Sequence, residues 1–266
     1  MSPGGPLLDW PGPWNPSATH PLPASSVNMS DLRPTAADDL KVDLALALLA
    51  QSGLPLPAGI AGSPEWLQGL IDGLCELSSR DALTGCANRR AFENAIARET
   101  DRVARSGEPA LLLFLDIDHF KRINDHHGHS TGDLVIRAVS EALAASVRPM
   151  DLVARIGGEE FAIILPNCPP AFGNTVAERI RTRVERQAIA LPTGQTVGCT
   201  ISAGGAFAPQ WVRSTPALWM ERADLQLYRA KSEGRNRTCL EPTPMSVVSA
   251  EEKGMLFGTS SFGDLT

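Results

Sequence analysis

Residues 152–165 read LVARIGGEEFAIIL, in which two short apolar segments flank the run Gly-Gly-Glu-Glu at 157–160. Paired glycines between two apolar segments are among the strongest sequence signals for a β-hairpin. We therefore expect strands over residues 152–155 and 161–165, joined by a tight turn that carries two acidic side chains.

Outside this hairpin, helical and strand patterns alternate along the chain. The apolar spacing predicts helix 91–105, strand 110–117, helix 134–147, helix 171–187, strand 197–203 and helix 216–233. Helices that alternate with strands pack on the faces of a sheet, and the hairpin adds antiparallel pairing. The pattern indicates an α/β fold with a mixed central sheet.

The two ends of the chain have a different composition. Residues 1–34 contain eight prolines, which argues for a disordered arm. Trp10 and Trp14 lie in this arm, either as a docking peptide for an unidentified protein partner or as ordinary aromatic contacts. Residues 241–266 are rich in Pro, Ser and Gly and are predicted to be a flexible tail.

Residues 35–80 are predicted to form a short helical region. Thr35 can cap a helix over residues 36–52, and Ser63 can cap a second helix that ends at Ser79. The second helix carries an apolar stripe made of Leu67, Leu70, Ile71, Leu74 and Leu77. This stripe either packs within its own chain or serves as a dimerisation element, and both interpretations stay open.

Composition narrows the functional class. The net charge of −6 argues against binding to duplex nucleic acid, which requires a basic surface. The longest apolar runs, 44–50 and 110–115, are far shorter than the ~20 residues of a membrane helix. Five cysteines without CxxC spacing are typical of reduced thiols. We expect no membrane insertion and a cytoplasmic location.

Acidic residues cluster where strands end. Asp116 and Asp118 follow the apolar segment of strand 110–117, and Glu159 lies in the hairpin turn. If the hairpin pairs beside that strand, Glu159 can face Asp116, and two carboxylates with a backbone carbonyl would suit Mg²⁺. The alternative is a solvated acidic turn.

Four blocks of sequence resemble, in order, the motifs of the GGDEF family of diguanylate cyclases. They are DALTGCANRR at 81–90, DIDHFKRINDHHGHSTGD at 116–133, RIGGEEF at 155–161 and YRAKSEGRN at 228–236. The resemblance implies a catalytic domain over 81–240 with a palm-like, ferredoxin-like mixed sheet flanked by helices. It also implies condensation of two GTP molecules into cyclic di-GMP and two pyrophosphates.

The resemblance assigns roles to individual residues. Asp116, Glu159 and the carbonyl of Ile117 would hold two Mg²⁺ or Mn²⁺ ions in each active site, and Asn124 and Asp133 would read the guanine edge.

The remaining positions would handle phosphate and proton transfer. Lys121, Lys231 and Arg235 would neutralise the triphosphate, the last two from one helical face because they are four residues apart. Glu160 would help to deprotonate the 3′-hydroxyl. The family frame also includes three supporting positions: His129, which would hold its loop by a hydrogen bond, and Gly157 and Gly158, which would permit the turn and a close approach by phosphate.

Arg148 and Asp151 match the inhibitory RxxD site of the family, where the product cyclic di-GMP binds and arrests the enzyme. The alternative is a helix-terminal Arg beside a turn Asp. Each chain would carry one GTP, so catalysis would need a homodimer. A rival interpretation is a catalytically silent domain that acts as a cyclic di-GMP receptor or scaffold, although every catalytic position is filled here.

Overall fold

A computed structural model describes residues 41–208 and 214–242. The predictions for the arm over 1–34, the Thr35 cap and the tail from 243 onward lie outside these residues. Within the described ranges, no helix combines the length and apolar character needed to cross a bilayer.

The described chain contains the following helices and strands. The helices are α1 (Asp43–Gln51), α2 (Pro64–Ser79), α3 (Arg89–Ser106), α4 (Phe120–His127), α5 (His129–Ala144), α6 (Pro170–Glu185) and α7 (Pro216–Ser232). The strands are β1 (Ala110–Ile117), β2 (Leu152–Arg155), β3 (Glu160–Pro166), β4 (Ile189–Ala190), β5 (Thr196–Val197), β6 (Ile201–Phe207) and β7 (Thr238–Leu240).

Five strands form a mixed sheet in the order β2-β3-β1-β6-β7, in which only β6 and β7 pair in parallel. All eight residues of the central strand β1 are buried. Its alternate side chains point to opposite faces. Leu111, Leu113 and Leu115 pack with α5 and α6, whereas Leu112 and Phe114 pack with α3 and α7. The predicted palm-like α/β fold with a mixed sheet between helices is confirmed.

One predicted strand is displaced. The sequence predicted a strand over 197–203, but β6 spans Ile201–Phe207, and residues 196–197 form β5 in a separate two-stranded sheet with β4. Gly204 and Gly205 weaken the strand pattern in the sequence, yet α7 crosses the sheet at this point. A Cβ on Gly204 would overlap the backbone nitrogen of Leu227, so close packing selects glycine there.

The helical region that precedes α3 and the five-stranded sheet has a small core of its own. α1 begins at Asp43, later than predicted, while Ser63 caps α2 by accepting a hydrogen bond from the backbone nitrogen of Trp66 at 3.2 Å. Leu49, Trp66 and Leu70 form this core, and Leu67, Leu74 and Leu77 pack against it. Ile71 is 53% exposed. Most of the apolar stripe therefore has contacts within its own chain, and a role in dimerisation stays a prediction.

Candidate active site

The signature hairpin pairs beside β1 and brings its acidic turn to the strand end. The backbone nitrogen of Ile117 donates a hydrogen bond to the carbonyl of Glu159 at 3.2 Å. The register places Glu160, rather than Glu159, directly opposite Asp116, so Glu159 lies one residue further into the turn. This detail differs from the sequence expectation, in which Glu159 was to face Asp116.

Three carboxylates at this strand end share an unfavourable environment. Burial raises the pKa of Asp116, against the lowering effect of Lys231. Burial also raises the pKa values of Glu159 and Glu160, and the negative charge of Asp116 raises both further. Each group therefore resists ionisation unless cations compensate. Perturbed acids that converge in this way are typical of a functional site.

A side chain at each of the two signature glycines, Gly157 and Gly158, would meet different surroundings. Neither lies in the left-handed backbone region, so the turn does not require glycine for its backbone conformation. The turn is closed by a hydrogen bond of 2.9 Å from the nitrogen of Ile156 to the carbonyl of Glu160. A Cβ on Gly157 would overlap the carboxylate of Glu160, while a Cβ on Gly158 would point into open space. Gly158 thus leaves the turn accessible to a bulky ligand.

Two of the three predicted phosphate-binding cations, Lys231 and Arg235, oppose the rise that burial causes in the pKa of Asp116. The Lys231 Nζ lies 2.8 Å from Oδ2 of Asp116. Burial raises the pKa of Asp116, and the charge of Arg235, like that of Lys231, opposes that rise. However, α7 ends at Ser232, and Arg235 lies in a left-handed turn with φ of 62°. The expectation that Lys231 and Arg235 project from one helical face is wrong. The third cation, Lys121, is exposed on α4.

The predicted guanine readers lie on two adjacent helices. Asn124 is on α4, and its buried side-chain oxygen has no hydrogen-bond partner among the residues that the structure describes. A Cβ on Gly132 would overlap this oxygen, so a larger residue there would displace the Asn124 side chain. Asp133 follows Gly132 and is exposed. The exposed ring of His129 makes no hydrogen bond within the described ranges, so the loop contact expected of it is not formed there.

The sequence interpretation missed a supporting role of Asp118. This buried carboxylate accepts hydrogen bonds from the hydroxyl groups of Thr200 and Ser202, each at 2.7 Å, and from the backbone nitrogen of Asn236 at 3.0 Å. Asp118 therefore joins β1 to β6 and to the turn after α7. No local spacing predicts this role, because its partners lie 82 or more residues away in sequence.

Arg155 holds the backbone of the signature turn at Gly158. Its guanidinium donates to the carbonyl of Gly158 at 2.8 Å and forms an ion pair with Asp81 at 3.2 Å. Asp81 in turn accepts from the hydroxyl of Thr84 at 2.7 Å. This ion pair links the first and third motif blocks, which are also joined by the hydrogen bond of 2.8 Å from the backbone nitrogen of Arg155 to the carbonyl of Ala87.

The predicted inhibitory residues adjoin a cation on a different helix. The backbone nitrogen of Arg148 donates to Oδ2 of Asp151 at 2.7 Å. Burial raises the pKa of Asp151, and the charges of Arg148 and Arg179 oppose this rise. Arg179 comes from α6 and donates to the carbonyl of Ser146 at 2.8 Å. Sequence reasoning missed Arg179 because nothing near it in sequence marks it.

The two carboxylates of Asp116 and Glu159 suit a Mg²⁺ ion that takes its other ligands from a bound nucleotide. Across residues 41–208 and 214–242, no group of three or more His, Cys, Asp and Glu side chains could hold a metal ion. Mg²⁺ is usually bound through one or two carboxylates together with substrate phosphates. Asp116 and Glu159 therefore fit an ion that shares its coordination with a nucleotide.

Comparisons with known proteins identify the family to which this chain is similar. The sequence profile described as "Diguanylate cyclase, GGDEF domain" matches residues 78–237. The chain is 42% identical over 160 residues to the uncharacterised protein YhcK of Bacillus subtilis, covering 60% of this chain and 44% of that protein. It is 40% identical over 163 residues to the probable diguanylate cyclase DgcC of Escherichia coli, covering 61% and 43% respectively. The chain thus spans less than half the length of these relatives.

A solved structure shares the fold. The GGDEF domain of DgcB from Caulobacter crescentus, determined in complex with c-di-GMP, matches with a TM-score of 0.59 and 38% sequence identity. The match covers 61% of this chain and 93% of that one. All four motif blocks lie inside the segment that matches the family profile. The chain belongs to the GGDEF family of diguanylate cyclase domains.

Proposed function

We propose that this protein is a diguanylate cyclase, which condenses two GTP molecules into cyclic di-GMP and releases two pyrophosphates. The observation that carries the proposal is the convergence of Asp116, Glu159 and Glu160, all with raised pKa values, beside Lys231. Burying three carboxylates this close together costs free energy unless bound cations compensate their charge. Such clusters are typical of functional sites, and here a polyanionic ligand would bring the cations with it.

The residues of this chain would divide the reaction between them. The 3′-hydroxyl of each GTP attacks the α-phosphate of the other, forming two phosphodiester bonds as two pyrophosphates leave. Glu160, whose burial raises its pKa, can accept the hydroxyl proton. Lys231 and Arg235 would neutralise charge on the phosphate oxygens. Two Mg²⁺ or Mn²⁺ ions, held by Asp116, Glu159 and the Ile117 carbonyl, would supply Lewis-acid activation.

Each chain would bind one GTP, so the reaction needs two chains with their active sites facing each other. We therefore propose a catalytic homodimer. Cyclic di-GMP would act as product and as inhibitor, bound at Arg148 and Asp151, and the position of Arg179 supports an anion-binding role for that surface.

The direct test is incubation of the pure protein with GTP and Mg²⁺ or Mn²⁺, followed by chromatographic separation of the nucleotides. We expect cyclic di-GMP and pyrophosphate to accumulate with GTP and no product to form with ATP. If no product forms while calorimetry detects cyclic di-GMP binding, the protein is a receptor rather than a cyclase.

Guanine recognition gives a separate prediction. Asp133→Ala should lower kcat/KM for GTP by about 10- to 100-fold, because a charge-assisted hydrogen bond contributes ~1.5–3 kcal/mol. Discrimination against ATP should fall by a similar factor. Rates with both nucleotides would be measured, with Asp101→Ala as the control, since Asp101 is an exposed carboxylate on α3 outside the four motif blocks. Unchanged discrimination in Asp133→Ala would mean that guanine is read elsewhere.

Product feedback gives another prediction. Arg148→Ala should raise the final yield of cyclic di-GMP severalfold, because the variant would no longer be arrested by its product. Calorimetry should show cyclic di-GMP affinity reduced at least about tenfold, as expected for loss of a charged hydrogen bond, with GTP binding retained. Arg105→Ala, which removes an exposed arginine from α3, is the control. Equal product affinity in Arg148→Ala and wild type would refute the inhibitory site.

A further inference from the structure

The turn after α7 has an unusual backbone. Gly234, Arg235 and Asn236 adopt φ angles of 116°, 62° and 46° in succession. Left-handed conformations cost roughly 1–2 kcal/mol for residues other than glycine, although asparagine tolerates them better than arginine does. Such a turn persists only where the surrounding structure restrains it. Arg235 is the residue of this turn that acts on Asp116.

The restraints come from two elements outside the turn. The backbone nitrogen of Asn236 donates to Asp118 at 3.0 Å. Its side-chain oxygen accepts from Nη1 of Arg181 at 2.8 Å, and its side-chain nitrogen donates to Glu185 at 2.6 Å. Both ends of the Asn236 amide are therefore held by residues of α6.

The α6 residues that hold Asn236 are themselves fixed. Arg181 donates to Glu178 and to Glu185, at 2.9 Å in each case, and its side chain is only 15% exposed. An arginine fork that is shared among several acceptors is a rigid support, since its planar donors have fixed directions. Arg181 therefore restrains the turn through geometry as well as charge.

The Arg235 guanidinium stays available for a ligand. Within residues 41–208 and 214–242 it donates no hydrogen bond and forms no ion pair, and Arg235 is exposed. The backbone of the turn thus sets the direction in which the Arg235 side chain leaves the chain, and side-chain contacts do not. Release of the neighbouring Asn236 would free Arg235 to sample other directions.

We propose that Arg181, together with Glu185, is a positioning element that aims Arg235 at the triphosphate by holding Asn236. The inference rests on the proposed function for its substrate. Arg181 does not touch the nucleotide in this scheme, and its effect passes through Asn236 to Arg235. Arg181→Ala should then raise KM for GTP about tenfold, while kcat changes by less than about threefold, because cation placement affects ground-state and transition-state binding alike.

A double-mutant cycle tests whether Arg181 acts through Arg235. The KM for GTP of Arg181→Ala combined with Arg235→Ala should equal that of Arg235→Ala alone. Arg222→Ala is the matched control, since it breaks an ion pair with Glu241 in which both side chains are also largely buried, and it should leave KM unchanged. Multiplicative effects of Arg181→Ala and Arg235→Ala would overturn the proposal.

Hydrogen exchange tests the same inference without turnover. In the nucleotide-free protein, Arg181→Ala should speed exchange in the peptide that contains Asn236 about tenfold, whereas Arg222→Ala should not. Arg181→Lys, which keeps the charge and loses the fork, should give an intermediate result and remains informative if the alanine variant does not fold. Unchanged exchange in both Arg181 variants would refute the inference. Absence of GTP turnover in the wild type, with the exchange effect present, would refute only the proposed function.

Discussion

Replacement of Glu159 by glutamine is expected to abolish cyclic di-GMP formation, with kcat lowered at least about 1000-fold. The glutamine side chain has nearly the same shape, but it lacks the charge that an ion beside Asp116 requires. The measurement is the initial rate with saturating GTP and Mg²⁺. Glu93→Gln, the same change at an exposed position of α3, is the control and should retain full activity. A near-native rate in Glu159→Gln would refute the assignment of the active site.

The same variant should be slightly more stable than wild type when no metal ion is added. Burial and the charge of Asp116 raise the pKa of Glu159, so its ionised form opposes folding at neutral pH. The gain should be roughly 0.5–1 kcal/mol, because Glu159 is partly exposed and solvent screens its charge. It should disappear as the pH falls below the ordinary glutamate pKa of about 4.3, where the carboxyl is neutral in both states. Thermal unfolding at pH 7 and pH 4 measures this difference.

Gly204→Ala is expected to have the largest effect on the fold. The added methyl group would overlap the backbone of α7 at Gln226 and Leu227, and neither backbone can move without separating α7 from the sheet. Overpacking against backbone of this kind should cost at least about 3 kcal/mol, which lowers Tm by roughly 6–12 °C in a domain of this size.

The control for this prediction is Gly198→Ala. A Cβ on Gly198 would meet no atom within 4 Å, and its backbone is not left-handed, so Tm should change little. Circular dichroism melts of both variants make the comparison. Similar melting temperatures for Gly204→Ala and wild type would contradict the close packing of α7 on β6.

The main features of the fold could be predicted from local patterns. The two apolar segments around the signature turn became β2 and β3, and the apolar run 110–117 became the buried strand β1. These predictions succeeded because apolar periodicity and turn residues act over a few residues, within the range that sequence spacing records. The short helix α4 was missed because its eight residues offer only Phe120 and Ile123 as apolar positions, which is too few for a helical spacing to stand out in the sequence.

The candidate site was predicted where a motif carries its own geometry. Asp116 and the acidic turn came together because a hairpin beside a strand leaves few alternatives. The sequence placed Glu159 opposite Asp116, but in the structure Glu160 takes that position. A shift of one residue in the register decides which side chain faces the neighbouring strand.

By itself, the sequence determined which chemical groups this protein possesses and the order in which the strands and helices present them. The tertiary structure alone decided which distant groups meet. Asp118 binds Asn236 across 118 residues of sequence, and Arg181 reaches the same asparagine from α6. Arg235 acts on Asp116 from a left-handed turn rather than from a helix. Such contacts depend on how helices dock on the sheet, and docking is set by packing of the whole core, which no local spacing encodes.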